Sequence, residues 1–221
     1  MKQLLIPRHV FAEIVSSVRE TPAGFETGVT LFGSPVDGLP DTRYVVLAVA
    51  GPGRNATYEP AHYSGDDDHA TGIYMALRFA MPAIHWLGEL HVHPRGMTWL
   101  SGGDLRTVRH ILTGTDETVH PDEFIAGVMQ RKERAVDIYP YHFTRERLQG
   151  APMDVIVVDS HSPEVQQARW SAIEEGDRDD RRCICAESEG SRTTSPETRG
   201  YRWLWEWRER ACRYDFASWY R

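Results

Sequence analysis

The stretch Glu89-Leu90-His91-Val92-His93-Pro94, followed by Ser101 and Asp104, decides how the chain is read. Upstream of it, Ala83-Ile84-His85-Trp86-Leu87-Gly88 reads as a buried strand, so His91 and His93 alternate with Val92 at its end. A strand repeats every two residues, which turns both imidazoles to one face. Pro94 ends the strand. Ser101-Gly102-Gly103-Asp104 then opens a helix whose apolar positions are Leu105, Val108, Ile111 and Leu112, and Asp104 falls in its first turn, free to face the histidines. Two imidazoles and one carboxylate leave the fourth position of a tetrahedral zinc open, which is the requirement of a catalytic and not a structural site. The reading from His91, His93 and Asp104 is one catalytic Zn2+ and a hydrolase. With each fixed residue at an abundance of a few per cent, this pattern arises by chance in about one chain of this length in ten thousand. Taken singly the parts have plainer uses: Ser101 with Asp104 fits a capping box, and a strand histidine is usually half-buried structure.

The spacing His-x-His-Pro-x6-Ser-x2-Asp resembles the signature of the JAMM, or MPN+, zinc metalloproteases. A second piece lies upstream, Glu26-Thr27-Gly28-Val29-Thr30-Leu31-Phe32-Gly33. In that family a glutamate opening such a strand is the general acid/base, which implies this role for Glu26, with Ser101 as the hydrogen-bond donor to the developing oxyanion. The resemblance spans roughly residues 5 to 160. Gly51-Pro52-Gly53-Arg54-Asn55-Ala56 and Gly88-Glu89-Leu90-His91 are similar to the bacterial JAB branch, whose members often sit beside ubiquitin-like conjugation enzymes in phage-defence operons. It implies the JAB1/MPN fold, cleavage after the C-terminal glycine of a ubiquitin-like protein laid beside a strand, and E1-like and E2-like enzymes of the same operon as further partners. Glu89 is a rival base from the residues alone, since alternation puts it on the face of His91 and His93. The resemblance favours Glu26 and leaves Glu89 as a structural carboxylate or one that orients a ligand. Alternatives are a zinc hydrolase of small or sulfur-carrier substrates and a non-catalytic MPN scaffold.

Composition agrees with one main domain. The 221 residues can bury a core with room for an appendage. A formal charge of -7 gives no basic field for nucleic acid or an anionic membrane. The opening Met1-Lys2-Gln3-Leu4-Leu5-Ile6-Pro7 has too short an apolar run for a signal peptide, and no stretch reaches membrane-spanning length, so the expected location is cytoplasmic. Cys183, Cys185 and Cys212 make no disulfide framework and read as free thiols.

The expected architecture is α/β, a mixed central sheet flanked by helices. An N-terminal helix starts at Pro7 and carries Val10, Phe11, Ile14, Val15 and Val18; strands follow near 25–33 and 43–50. A Gly- and Pro-rich loop covers 51–66, and a helix over about 67–81 leads into the histidine strand. Its Asp66-Asp67-Asp68 start reads as a solvated cluster or as a receiver of an arginine-bearing tail. Further strands lie around 123–129, 135–139 and 154–158. The domain closes at residue 160. Residues 161–199 form a polar linker, most charged from 174 onward, and 200–221, with Trp203, Trp205 and Trp207, an aromatic helical appendage that docks back or binds a partner.

Overall fold

The computed structural model describes residues 2–36, 43–60, 62–93, 97–114, 121–133 and 135–174. Among them the chain is mixed α/β: an eight-stranded sheet, a two-stranded hairpin and four helices. The elements are β1 (Gln3–Pro7), α1 (Arg8–Glu20), β2 (Gly28–Val36), β3 (Arg43–Ala50), β4 (Thr57–Glu59), β5 (His62–Ser64) and α2 (Asp67–Ala80). They continue with β6 (His85–Val92), α3 (Gly102–Thr113), β7 (Glu123–Arg131), β8 (Val136–Thr144), β9 (Ala151–Pro152), β10 (Asp154–Val158) and α4 (Pro163–Glu174). The large sheet runs β10-β1-β3-β2-β6-β7-β8-β9. It is parallel at β1–β10, β1–β3 and β6–β7 and antiparallel elsewhere, with α3 as the crossover from β6 to β7.

Alternation along the strands divides the core in two. Leu4 and Ile6, Val29 and Leu31, and Tyr44 and Val46 turn to one face, where they bury Val10, Ile14 and Val18 of α1. Leu5, Phe32, Val45 and Leu47 turn to the other, against Val165, Ala168 and Ala172 of α4 and the apolar side of α2. Helix α3 packs Val108 and Leu112 on Phe124, Ala126 and Phe143, and Trp86 belongs to both of these clusters. The sheet curls around α1. Met153 joins its two ends, its N–H donating to Pro140 O at 3.0 Å while Asp154 N–H donates to Lys2 O at 3.2 Å.

One glycine is required in this sheet. Gly88 has φ +150°, and a Cβ there would stand 1.8 Å from Ile125 O on the paired strand. Only a residue without a side chain lets β6 and β7 approach there.

Three expectations need correction. The N-terminal helix is preceded by a strand: Gln3–Pro7 is β1, with Leu4, Leu5 and Ile6 buried between β3 and β10. The loop 51–66 contains the β4–β5 hairpin. The domain does not close at 160, because Pro163–Glu174 of the expected linker is α4, with Val165, Ala168 and Ala172 fully buried. Small alanines in a polar helix make a stripe too narrow to read as amphipathic, yet flat enough to lie close on a sheet. The rest of the linker, the cysteines and the aromatic segment 200–221 lie outside the described residues.

At one end of the sheet Lys2, Tyr44, Glu123 and His142 meet. Tyr44 OH donates to Glu123 and lies 3.0 Å from His142 Nε2; Lys2 Nζ is 2.9 Å from Tyr44 OH and 3.0 Å from that same Nε2. Burial, with the charges of Lys2 and Arg147, depresses His142 against the opposing pull of Glu123. Glu123 is held below the usual carboxylate range: burial opposes this, but hydrogen bonds from Tyr44 and His142 prevail. The unfolded chain therefore binds the histidine proton first, so stability falls as pH drops below about 6.5, the ordinary histidine value, and Glu123 adds to the loss lower down. We expect thermal melts from pH 7.5 to 5.5 to show a declining Tm for the wild type and a shallower decline for His142→Gln. Parallel declines would show that His142 does not drive it.

Candidate metal centre

The sheet register builds the site. Strand β2 pairs antiparallel with β6, Gly28 opposite His91, Val29 opposite Leu90 and Thr30 opposite Glu89. Pairing persists past the strand end, with Val92 N–H donating to Thr27 O at 2.7 Å, and Glu26, the next residue out, feels the charges of His91, Asp104 and His62. Gly28 and Thr30 thus share a face with His91 and Glu89, and Glu26 lines the same cleft as the histidines. Glu26 does not open β2 as expected; it precedes the strand by two residues and is fixed by its own N–H, which donates to Glu59 O of β4 at 3.0 Å.

Helix α3 supplies the rest. Ser101 is its N-cap, Oγ accepting from Gly103 N–H and Asp104 N–H at 3.2 Å each, while Ser101 N–H donates to Asp104 Oδ2 at 2.6 Å. The capping box read from sequence is present, and it aims Asp104 at the histidines. His93 Nε2 lies 3.1 Å from Asp104 Oδ2, His91 Nε2 3.4 Å from Oδ1, and the two Nε2 atoms are 2.7 Å apart. Both acceptor sites of Ser101 Oγ are used by the cap, so its hydroxyl proton is left to donate outward.

The charges suit a cation. Burial would raise the Asp104 carboxyl, but His91 and the donors of Ser101 hold it well below the usual carboxylate range. Burial, with the neighbouring His91, depresses His93 and favours its neutral form, the one that binds metals. Its second nitrogen, Nδ1, is buried without a hydrogen bond of ordinary geometry among the described residues; the Trp99 backbone exerts only the weakest of the influences on that ring. Donor atoms of His91, His93 and Asp104 all lie within 4.8 Å of one another, a set that could hold a metal ion. Two imidazoles and an ionised carboxylate, open on one side, fit a divalent ion of the borderline class.

These residues line a cleft of about 600 Å3 at the carboxyl end of β6, where open α/β sheets place ligands. Glu26, Glu89, His91, His93, Ser101 and Asp104 are all in its wall. A larger cleft of about 840 Å3, between α1 and the 51–55 loop, contains none of them, and we assign the chemistry to the smaller. Burial raises the Glu26 carboxyl, as does Asp104, while His91 and His62 pull it down. Enclosing protein raises the Glu89 carboxyl, although its side chain keeps surface exposed to water. Glu89 makes no hydrogen bond to His91 or His93, so the expected ligand-orienting role finds no contact there. Of Asp66-Asp67-Asp68, Asp66 is the N-cap of α2 and accepts from His69 N–H and Asn55 N–H.

The sequence reading missed His62 and Tyr63. Tyr63 leans over Gly28, where a Cβ would stand 2.5 Å from its ring, so glycine opposite His91 is what admits the hairpin. Three-residue strands carry too little pattern to foresee this contact.

No protein-family model and no curated protein matches the chain. Among solved structures it is similar to the solution structure of protein DSY2949 from Desulfitobacterium hafniense, at 16% identity and a TM-score of 0.51, over 71% of this chain and 93% of that one. Identity that low shows a shared fold and nothing of activity.

We expect the purified protein to bind about one divalent ion per chain and the His91→Ala/His93→Ala pair to bind none, because one carboxylate cannot retain the ion. Elemental analysis with circular dichroism checks this; full metal content in a folded double variant would refute the site.

Proposed function

We propose that the chain is a zinc-dependent peptidase or isopeptidase of the JAMM type on a JAB1/MPN fold, cleaving after the C-terminal glycine of a ubiquitin-like protein. The observation that carries the reading is the meeting in one cleft of His91, His93 and Asp104 with Glu26 and Ser101, from segments as far apart as residues 26 and 104. Bound there, zinc would supply Lewis acidity toward a carbonyl and make water a better nucleophile near neutral pH.

The protein's own part follows from its geometry. Glu26, in the wall of the same cleft as the triad and raised by burial, takes a proton from the attacking water and hands it to the departing amine. The outward proton of Ser101 bonds the carbonyl oxygen as it becomes negative. The β5 strand of the hairpin, which lines the cleft through His62 and Tyr63, has one edge unpaired among the described residues, suited to an extended tail. Processing of a precursor, or deconjugation within an operon that also encodes E1-like and E2-like enzymes, is the setting we favour.

We expect Glu26→Gln to keep zinc and to lose turnover by about 10²–10⁴-fold, the usual worth of a general base, and Glu89→Gln to lose far less. The reverse order with zinc retained in both would make Glu89 the base. The substrate reading is checked by incubating a fusion of the genomically neighbouring ubiquitin-like protein and a reporter with wild type, Glu26→Gln and a chelator, then measuring product mass. We expect a cut after the terminal glycine by wild type alone. No cut in any cognate fusion or conjugate, with zinc bound, would turn the assignment to a hydrolase of small substrates.

A further inference from the structure

Glu26 precedes β2 by two residues, so its place is set by contacts from other segments. Val92 N–H of β6 donates to Thr27 O at 2.7 Å, and Glu26 N–H donates to Glu59 O of β4 at 3.0 Å. The third contact comes from Arg131, the last residue of β7. Its Nη1 donates to Thr21 O at 2.6 Å and its Nη2, more loosely, to Phe25 O at 3.5 Å. The guanidinium thus bridges both ends of the 21–25 loop, whose own turn is closed by Phe25 N–H donating to Pro22 O at 3.4 Å. The peptide joining Phe25 to Glu26 is held on both sides, its oxygen by Arg131 and its N–H by Glu59. Arginine ordinarily pairs with a carboxylate. Among the described residues Arg131 has no such partner, and its Nε is buried without a hydrogen bond. A cation beside the last carbonyls of α1 has a plain use against the helix dipole. The contact with Phe25 O lies outside that use, four residues beyond the Thr21 cap.

We propose that Arg131 is a positioning residue for the proton transfer: by fixing the 21–25 loop it holds Glu26 where the attacking water stands. Arg131 is not in the wall of the cleft, so it acts through the peptide joining Phe25 to Glu26 and not on the reacting atoms. A proton carrier must be held in place, because small displacements of a catalytic group are costly to rate. The inference rests on the peptidase reading for the role of Glu26; the clamp on the loop does not.

The test compares Arg131→Met, which keeps an aliphatic stem and removes the donors, with Arg131→Lys, which keeps one cationic donor, in zinc-loaded full-length protein. Amide hydrogen exchange of peptides covering residues 21–27, read by mass spectrometry, reports the clamp without recourse to activity. We expect Arg131→Met to speed that exchange by at least about fivefold and Arg131→Lys by less, with peptides carrying His91, His93 and Asp104 unchanged. On the fusion of the neighbouring ubiquitin-like protein to a reporter, Arg131→Met should lose about 10–100-fold in kcat, with KM and zinc content as in the wild type. Added to Glu26→Gln it should cost nothing more, since no base is left to misplace, whereas a general loosening of the domain would lower turnover in both backgrounds. Exchange at the wild-type rate, an equal loss in the Glu26→Gln background, or a rise in KM alone would overturn the proposal. If circular dichroism shows that Arg131→Met does not fold, Arg131→Lys decides by the same three readings. A wild type that cuts no fusion, beside faster exchange in Arg131→Met, would remove the peptidase reading alone; normal cutting by Arg131→Met would remove the positioning role alone.

Discussion

The antiparallel pairing of β2 with β6 is the constraint on which the rest of the structure depends. Opposite residues sum to 119 from Gly28–His91 to Leu31–Gly88, and the Val92 to Thr27 hydrogen bond carries that register beyond the strand. A slip of one residue would turn Val29 and Leu31 out of the core and Glu26 away from the histidines together. The buried apolar set on one face therefore enforces the polar set on the other. The irregularity between Leu31 and Phe32 shifts the pairing just past this region and leaves the site end regular.

Asp104 couples the site to the helix that presents it. One of its oxygens accepts from Ser101 N–H and faces His93, while the other faces His91, so the group that starts α3 also completes the triad. Losing that carboxylate would remove the half of the capping box that accepts from Ser101 N–H, along with a ligand. A functional test of Asp104 accordingly reads two effects, and His91 or His93 is the cleaner probe of the metal.

Much of the site was legible because it is local. His91, His93, Ser101 and Asp104 fall within fourteen residues, where strand alternation and helix capping are short-range rules. Glu26 was found through a resemblance, and its place in the same cleft as the triad depends on a strand pairing that no short-range rule dictates. The misses share a physical cause. Leu4-Leu5-Ile6 is buried on both faces, so it lacks alternation; β4 and β5 are too short to show any; and the buried stripe of α4 is built from Val165, Ala168 and Ala172, which add little contrast to a polar segment. Sheet order was out of reach, since it is settled by which apolar faces find one another in three dimensions.

The placement of β1 bears on how the chain acquires its structure. The first strand lies between β3 and β10, pairing Leu4 with Tyr44 and with Val155, about 150 residues later. A chain emerging from the ribosome amino end first must hold this apolar segment unmatched on one side until nearly the whole domain has been made. Parallel pairing over such a sequence separation is slow to form. During that interval Leu5 and Ile6 present a sticky edge to any other strand, which makes the folding of this protein, more than its finished stability, the stage at which chaperones and aggregation compete for it.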